Sequence, residues 1–227
     1  MQTPLQLRDA FINTISHVRS VAAKSIANSG PGRPLSAPDL HKISEGLFLS
    51  AVTHWEEFCQ ALLQVDLGTL SRSALLKDVR KFRTKNAPHR LAEIMLSHID
   101  HPNAFYDWSD FHKVCERAER FLPAGNRFSP PPPIPPATKP PHRTSLPTAT
   151  VDELAMFKRI RNAVAHKSDK AWDSFMRLVR EPPFSLPPNQ RKGITPGRFM
   201  ITKQWGGKVV LMHALDTLEA AACILVP

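Results

Sequence analysis

Residues 151–166 read VDELAMFKRIRNAVAH, and this stretch decides how the chain folds. Leu154, Phe157, Ile160 and Val164 recur at intervals of three and four, which places them on one face of an α-helix and turns that face inward. Thr150-Val151-Asp152-Glu153 has the form of a capping box that starts the helix. Just beyond, Ser168-Asp169 reads as the cap of a further helix through Trp172, Phe175, Met176 and Val179, which Glu181-Pro182-Pro183 ends. His166 therefore falls at a helix-to-helix junction, with Arg161 about one turn earlier. On one uninterrupted helix five residues rotate by about 140°, so the two side chains would point apart. A helix that ends just before His166 relaxes that restriction.

Outward from this stretch the same helical period dominates. Thr3-Pro4-Leu5-Gln6 reads as a capping box with proline at the first helical position, and a helix to about Asn28 carries Leu7, Phe11, Ile15, Val18 and Ala22 on one face. Residues 29–34, SGPGRP, break it. A second long helix is predicted over Asp39–Asp66, with Ile43, Leu47, Val52, Trp55, Phe58, Leu62 and Val65 as its apolar stripe, one interval slipping to five. Shorter helices follow over Arg72–Arg83, Ala87–Ile99 and Trp108–Leu122. Ser129 to Pro147 is too rich in proline for helix or central strand and reads as an extended, polyproline-II-like insertion. Gly193 to Lys208 has the residues of a short hairpin, and a last helix spans Val209–Leu225. The fold class is all-α: one domain over 1–227, with N-terminal helices in 1–122, a Pro-rich insertion or linker in 123–150, and the remaining helices in 151–227.

Composition sets outer bounds. At 227 residues and 42% hydrophobic content the chain can bury a core. Cys59, Cys115 and Cys223 are far apart and nothing at the N-terminus reads as a secretory signal, so reduced thiols in a cytoplasm are expected. No apolar run reaches membrane-spanning length, and no membrane partner is expected. The formal net charge is +10, and residues 151–227 hold 12 basic against 7 acidic side chains. Such a balance attracts polyanions, of which nucleic acid is the commonest in a cytoplasm.

Arg161-Asn162-Ala163-Val164-Ala165-His166 combines a permanent cation, a carboxamide and an imidazole. These supply charge stabilisation, a hydrogen-bonding tether and a proton-transfer group near neutral pH, a set suited to metal-free cleavage of RNA. Spacing alone is a weak signal, since Arg83 and His89 match it across Pro88 without the apolar lead-in. The competing reading is structural: Arg161 pairs with Glu45 or Glu57, while Asn162 and His166 cap helix ends. Lys158, Arg159 and Lys167 flank the motif as candidate RNA-binding cations. Arg80, Lys81 and Arg83 lie in a second basic stretch that suits either an RNA backbone or a solvated helix face. His98-Ile99-Asp100-His101 lacks a third ligand, so neither metal nor cofactor is expected.

The block RNAVAHKSDKAW (161–172) resembles the motif and following helix of HEPN-domain ribonucleases, whose signature is an Arg, then usually Asn, His or Asp, and a His a few residues on. EGLFLSAVTHWEEFCQALL (45–63) is similar to the long helix of the RiboL-PSP or MAE-type branch, where an aromatic, a Glu and another aromatic recur. The resemblance covers 1–122 loosely and 151–227 more specifically; the Pro-rich segment departs from it, and Lys167 stands where such domains often have Gly. It implies a HEPN-like helical bundle that dimerises and brings two copies of the motif into one cleft. It further implies a metal-independent endoribonuclease acting as a toxin or anti-phage effector, with an antitoxin or regulatory protein as partner, although some members only bind RNA or scaffold other proteins. In such a site His166 is expected to move the proton of a 2′-hydroxyl, Arg161 to hold the phosphate, and Asn162 to orient one or the other.

Overall fold

A computed structural model of the chain describes residues 2–70, 108–129, 145–166 and 168–227. Among them stand the helices α1 Pro4–Ala27, α2 Ala37–Leu70, α3 Phe111–Phe121, α4 Thr148–Ala165, α5 Asp169–Arg180, α6 Pro188–Arg191, α7 Pro196–Thr202 and α8 Val210–Leu225. The short strands β1 Gln204–Trp205 and β2 Lys208–Val209 precede α8. The fold is all-α with a small hairpin before the last helix, as the patterning predicts. No helix among the described residues is long and apolar enough to cross a membrane. The helices expected over Arg72–Arg83 and Ala87–Ile99, and nearly all of the Pro-rich stretch, lie outside the described residues.

Local chemistry explains where the helices begin. Thr3 and Gln6 exchange hydrogen bonds as a capping box, backbone to side chain in both directions at 2.8 and 3.2 Å. α2 starts two residues earlier than the apolar pattern suggests, because Ser36 and Asp39 form a second such box. The Ser36 hydroxyl, followed by its backbone N–H, holds the Asp39 carboxyl below its ordinary value. α3 begins at Phe111 rather than Trp108, since Asp110 accepts from the Lys113 N–H and fixes the cap there. α4 corrects a further expectation. It begins at Thr148, so Thr150 sits inside the helix, and the Glu153 carboxylate is turned to Thr217 and His213 instead of capping a backbone N–H.

The chain divides into two compact units. The first comprises Met1–Ala10, Glu56–Val151 and Ala221–Pro227. Its core gathers Leu62, Leu63 and Leu67 of α2, Val114, Cys115 and Ala118 of α3, Phe128, Leu146 and the end of α8. Residues 123–129 are built in by the buried Asn126, which donates to Pro123 O and Ser129 Oγ and accepts from Phe128 N–H. Burial pushes the Cys59 thiol well up, and burial followed by Glu119, Glu116 and Asp110 raises Cys115 to about 12, so both remain protonated, unreactive thiols.

The second unit comprises Phe11–Trp55 and Asp152–Ala220. Phe11, Ile15, Val18 and Ala22 of α1 are all buried, as their spacing predicts. In α2 the buried positions are Leu40, Ser44, Phe48, Ala51, Val52 and Trp55, while Ile43 and Leu47 are only half-buried. Val52, Trp55, Phe58 and Leu62 of the predicted stripe are buried, so only its N-terminal part runs one residue out of phase, and the apparent slip to five disappears once Phe48 replaces Leu47. Leu154, Phe157 and Ile160 of α4 face this core at 4% exposure or less, and Phe157 meets Phe48 edge to face. The hairpin turn is Gly206-Gly207, both at positive φ (57° and 79°), which gives the two-residue turn that matches strand twist.

Candidate functional site

The side chains of Arg161 and His166 meet at the C-terminal end of α4. The helix stops at Ala165, and the His166 N–H still donates to Asn162 O at 2.8 Å, so His166 closes the last turn while its ring is free of the helical register. Arg161 Nη1 lies 3.2 Å from His166 Nε2 and 3.3 Å from Asn162 Oδ1. A guanidinium has only donors, so a hydrogen bond between the two needs Nε2 as its acceptor. Asn162 thus serves both partners: its carboxamide oxygen holds the guanidinium and its backbone carbonyl holds the His166 amide. Arg161 and Asn162 are half-buried, and His166 is exposed.

His166 also lines a pocket of about 340 Å³ in the same unit, with Ala163, Val164, Ser168, Asp169, Trp172, Lys42, Glu45, Thr195 and Pro196. Ser168 caps α5 by accepting from the Ala171 N–H, as its position predicts, and this cap directs Asp169 and Trp172 into the pocket wall. The opposite wall is fixed by Glu45 of α2, whose carboxylate accepts from Gly197 N–H at 3.1 Å and from Lys42 Nζ at 2.7 Å. Close by, burial lowers the His41 imidazole, the Arg198 cation lowers it further, and Glu45 opposes them.

Gly197 makes this wall possible. A methyl group there would drive into the backbone carbonyl of His41, which has no side-chain freedom to yield. Gly197→Ala is therefore expected to destabilise the protein by about 1–3 kcal/mol, the usual cost of overpacking. Urea unfolding of the two proteins checks this, and an unchanged midpoint would show that α7 is not seated on α2 as described.

The remaining sequence candidates are dispersed. Arg159 pairs with Glu181 at 3.3 Å, both side chains being substantially exposed, so the pair adds little stability. Lys158 is half-buried on α4. Lys167, Arg80, Lys81 and Arg83 lie outside the described residues, as does His98-Ile99-Asp100-His101. Among the described residues no three His, Cys, Asp or Glu side chains are grouped to hold a metal.

Two features escape sequence reading. Trp172 has the position of an ordinary core residue on its helix yet is 41% exposed at the pocket. His213 of α8 stacks on Trp205 with ring centroids 4.6 Å apart and pairs with Glu153 at 3.2 Å, while the Thr217 hydroxyl donates to the same carboxylate at 2.6 Å. The i, i+4 spacing of His213 and Thr217 is a faint signal; Glu153 comes from 60 or more residues away and leaves none.

Compared with known proteins, the chain matches no family model, no curated protein and no solved structure.

Proposed function

We propose that the protein is a metal-independent endoribonuclease whose reacting groups are Arg161 and His166. The observation that carries this reading is their contact at 3.2 Å on an exposed helix end beside a pocket. A cation and a proton acceptor in direct contact match what cleavage of RNA by its own 2′-hydroxyl demands. The incoming phosphate takes the Arg161 N–H donors and so releases Nε2, which then accepts the 2′ proton. The 2′ oxygen forms a bond to phosphorus, the bond to the 5′ oxygen breaks, and Arg161 stabilises the charge that accumulates on the non-bridging oxygens.

The leaving 5′ oxygen needs a proton from a second group. In a homodimer, the arrangement implied by the resemblance to HEPN domains, the partner copy supplies its own imidazole in the protonated form. The rate then passes through a maximum with pH, because one ring must be neutral and the other charged. The net charge of +10 favours the polyanionic substrate at low ionic strength. A role as a toxin or anti-phage effector restrained by an antitoxin or regulatory protein belongs to the same reading.

The test is incubation of the purified protein with single-stranded RNA in EDTA, with identification of the product ends. The reading predicts 2′,3′-cyclic phosphate and 5′-hydroxyl ends. Intact RNA that stays bound to a folded dimer would favour a non-catalytic RNA-binding module.

A further inference from the structure

We propose that the pocket beside His166 is a nucleobase subsite, in which the indole of Trp172 stacks on a base adjoining the phosphate held at Arg161. The proposal rests on the RNA-directed reading of the Arg161–His166 pair and adds to it the group that grips the strand.

Among the described residues three large apolar side chains stand exposed: Leu5, Trp172 and Ile224. Only Trp172 lines this pocket. Its ring has aromatic neighbours. Phe175, fully buried, lies 5.5 Å from it at 48°, and Phe175 in turn meets Phe199 edge to face at 5.6 Å. An exposed aromatic ring packed beside a buried one offers a flat face to solvent, and a flat π-system is the surface that satisfies it best.

The lining specifies the occupant further. Ala163, Val164 and Pro196 give apolar walls, while Glu45, Ser168, Asp169 and Lys42 ring them with hydrogen-bonding groups. Apolar walls with a polar rim suit a nucleobase, which combines two apolar faces with a polar edge. A volume of about 340 Å³ accommodates a planar base with solvent to spare. His166 is shared by the pocket and the Arg161 contact, so one nucleotide can present its phosphate to Arg161 and its base to Trp172.

The test uses fluorescence anisotropy at fixed, low salt with a labelled 2′-deoxy strand, which binds but cannot be cleaved by its own sugar, and a strand of equal length with abasic sites in place of bases. The parent is expected to bind the base-bearing strand about 5- to 150-fold more tightly than the abasic one, the range for one stacked base. Trp172→Ala should bring the two strands together, and Trp172→Phe should keep most of the preference. Equal binding of the base-bearing strand by parent and Trp172→Ala overturns the subsite, as does failure of the parent to bind either strand. Failure of the nuclease reading looks different: RNA stays intact while the preference for bases, and its loss in Trp172→Ala, persists.

Discussion

His166→Ala is expected to lower RNA cleavage by about 10²- to 10⁴-fold, the contribution of a positioned general acid or base, and to leave the thermal transition almost unchanged. The two halves of that expectation have separate grounds. His166 is exposed beyond the last residue of α4, and its helical hydrogen bond comes from its backbone N–H, which alanine retains. Loss of the ring therefore removes little packing. It does remove the acceptor opposite Arg161, and in a dimer it removes the proton donor on the other side as well. Arg161→Lys provides the companion measurement. A lysine keeps the charge but lacks the fork that reaches His166 and Asn162 together, so activity should fall although the electrostatic attraction for RNA persists. Initial rates with the folded variants decide the matter, and a His166→Ala protein as active as the parent would exclude the imidazole from the chemistry.

Arg127→Ala should produce the largest loss of stability, about 3–5 kcal/mol, as expected when one member of a buried ion pair is removed. Arg127 grips the Asp66 carboxylate through Nε and Nη2 at 2.7 and 3.2 Å, and its Nη1 donates to Leu225 O at 3.1 Å. Asp66 is almost wholly buried, and burial raises its carboxyl above the ordinary aspartate value even though the Arg127 hydrogen bonds and charge pull it down. A raised carboxyl means that the folded protein holds this proton more tightly than the unfolded chain. The group's contribution is then complete below the ordinary aspartate value and is lost as pH rises through the folded one. Without Arg127 the opposing pull vanishes, so the cost of Arg127→Ala should grow as pH rises from acid toward neutrality. Urea unfolding at several pH values checks both size and slope, and a cost independent of pH would remove Asp66 from the explanation.

The features legible in the sequence are those with a local cause. The 3.6-residue period identifies Phe11, Ile15, Val18 and Ala22 of α1 and Leu154, Phe157 and Ile160 of α4 as buried, while Leu7 and Val164 at the margins are half-buried; the Thr3 and Ser168 caps are marked by hydroxyl and spacing. In α2 the stripe is broad enough for two phases to fit, and packing chose the one through Phe48. The junction at His166 was readable because a capping serine follows it two residues on. What the sequence hides depends on distant partners. Asp66 and Arg127 are 61 residues apart, Glu153 and Thr217 64, Glu45 and Gly197 152. The exposure of Trp172 likewise leaves no local signal, since its helix pattern points it inward yet the ring is 41% exposed.

In the proposed reaction the strand's own 2′-hydroxyl is the nucleophile and His166 its base. The most direct measurement uses an RNA oligonucleotide in which the sugar 5′ to the cleaved bond carries hydrogen in place of the 2′-hydroxyl, all other sugars being unchanged, assayed in EDTA. Cleavage should vanish at that bond and continue at the others. Cleavage that persists at the deoxy position would exclude this reaction, because the attacking oxygen would then have to come from water.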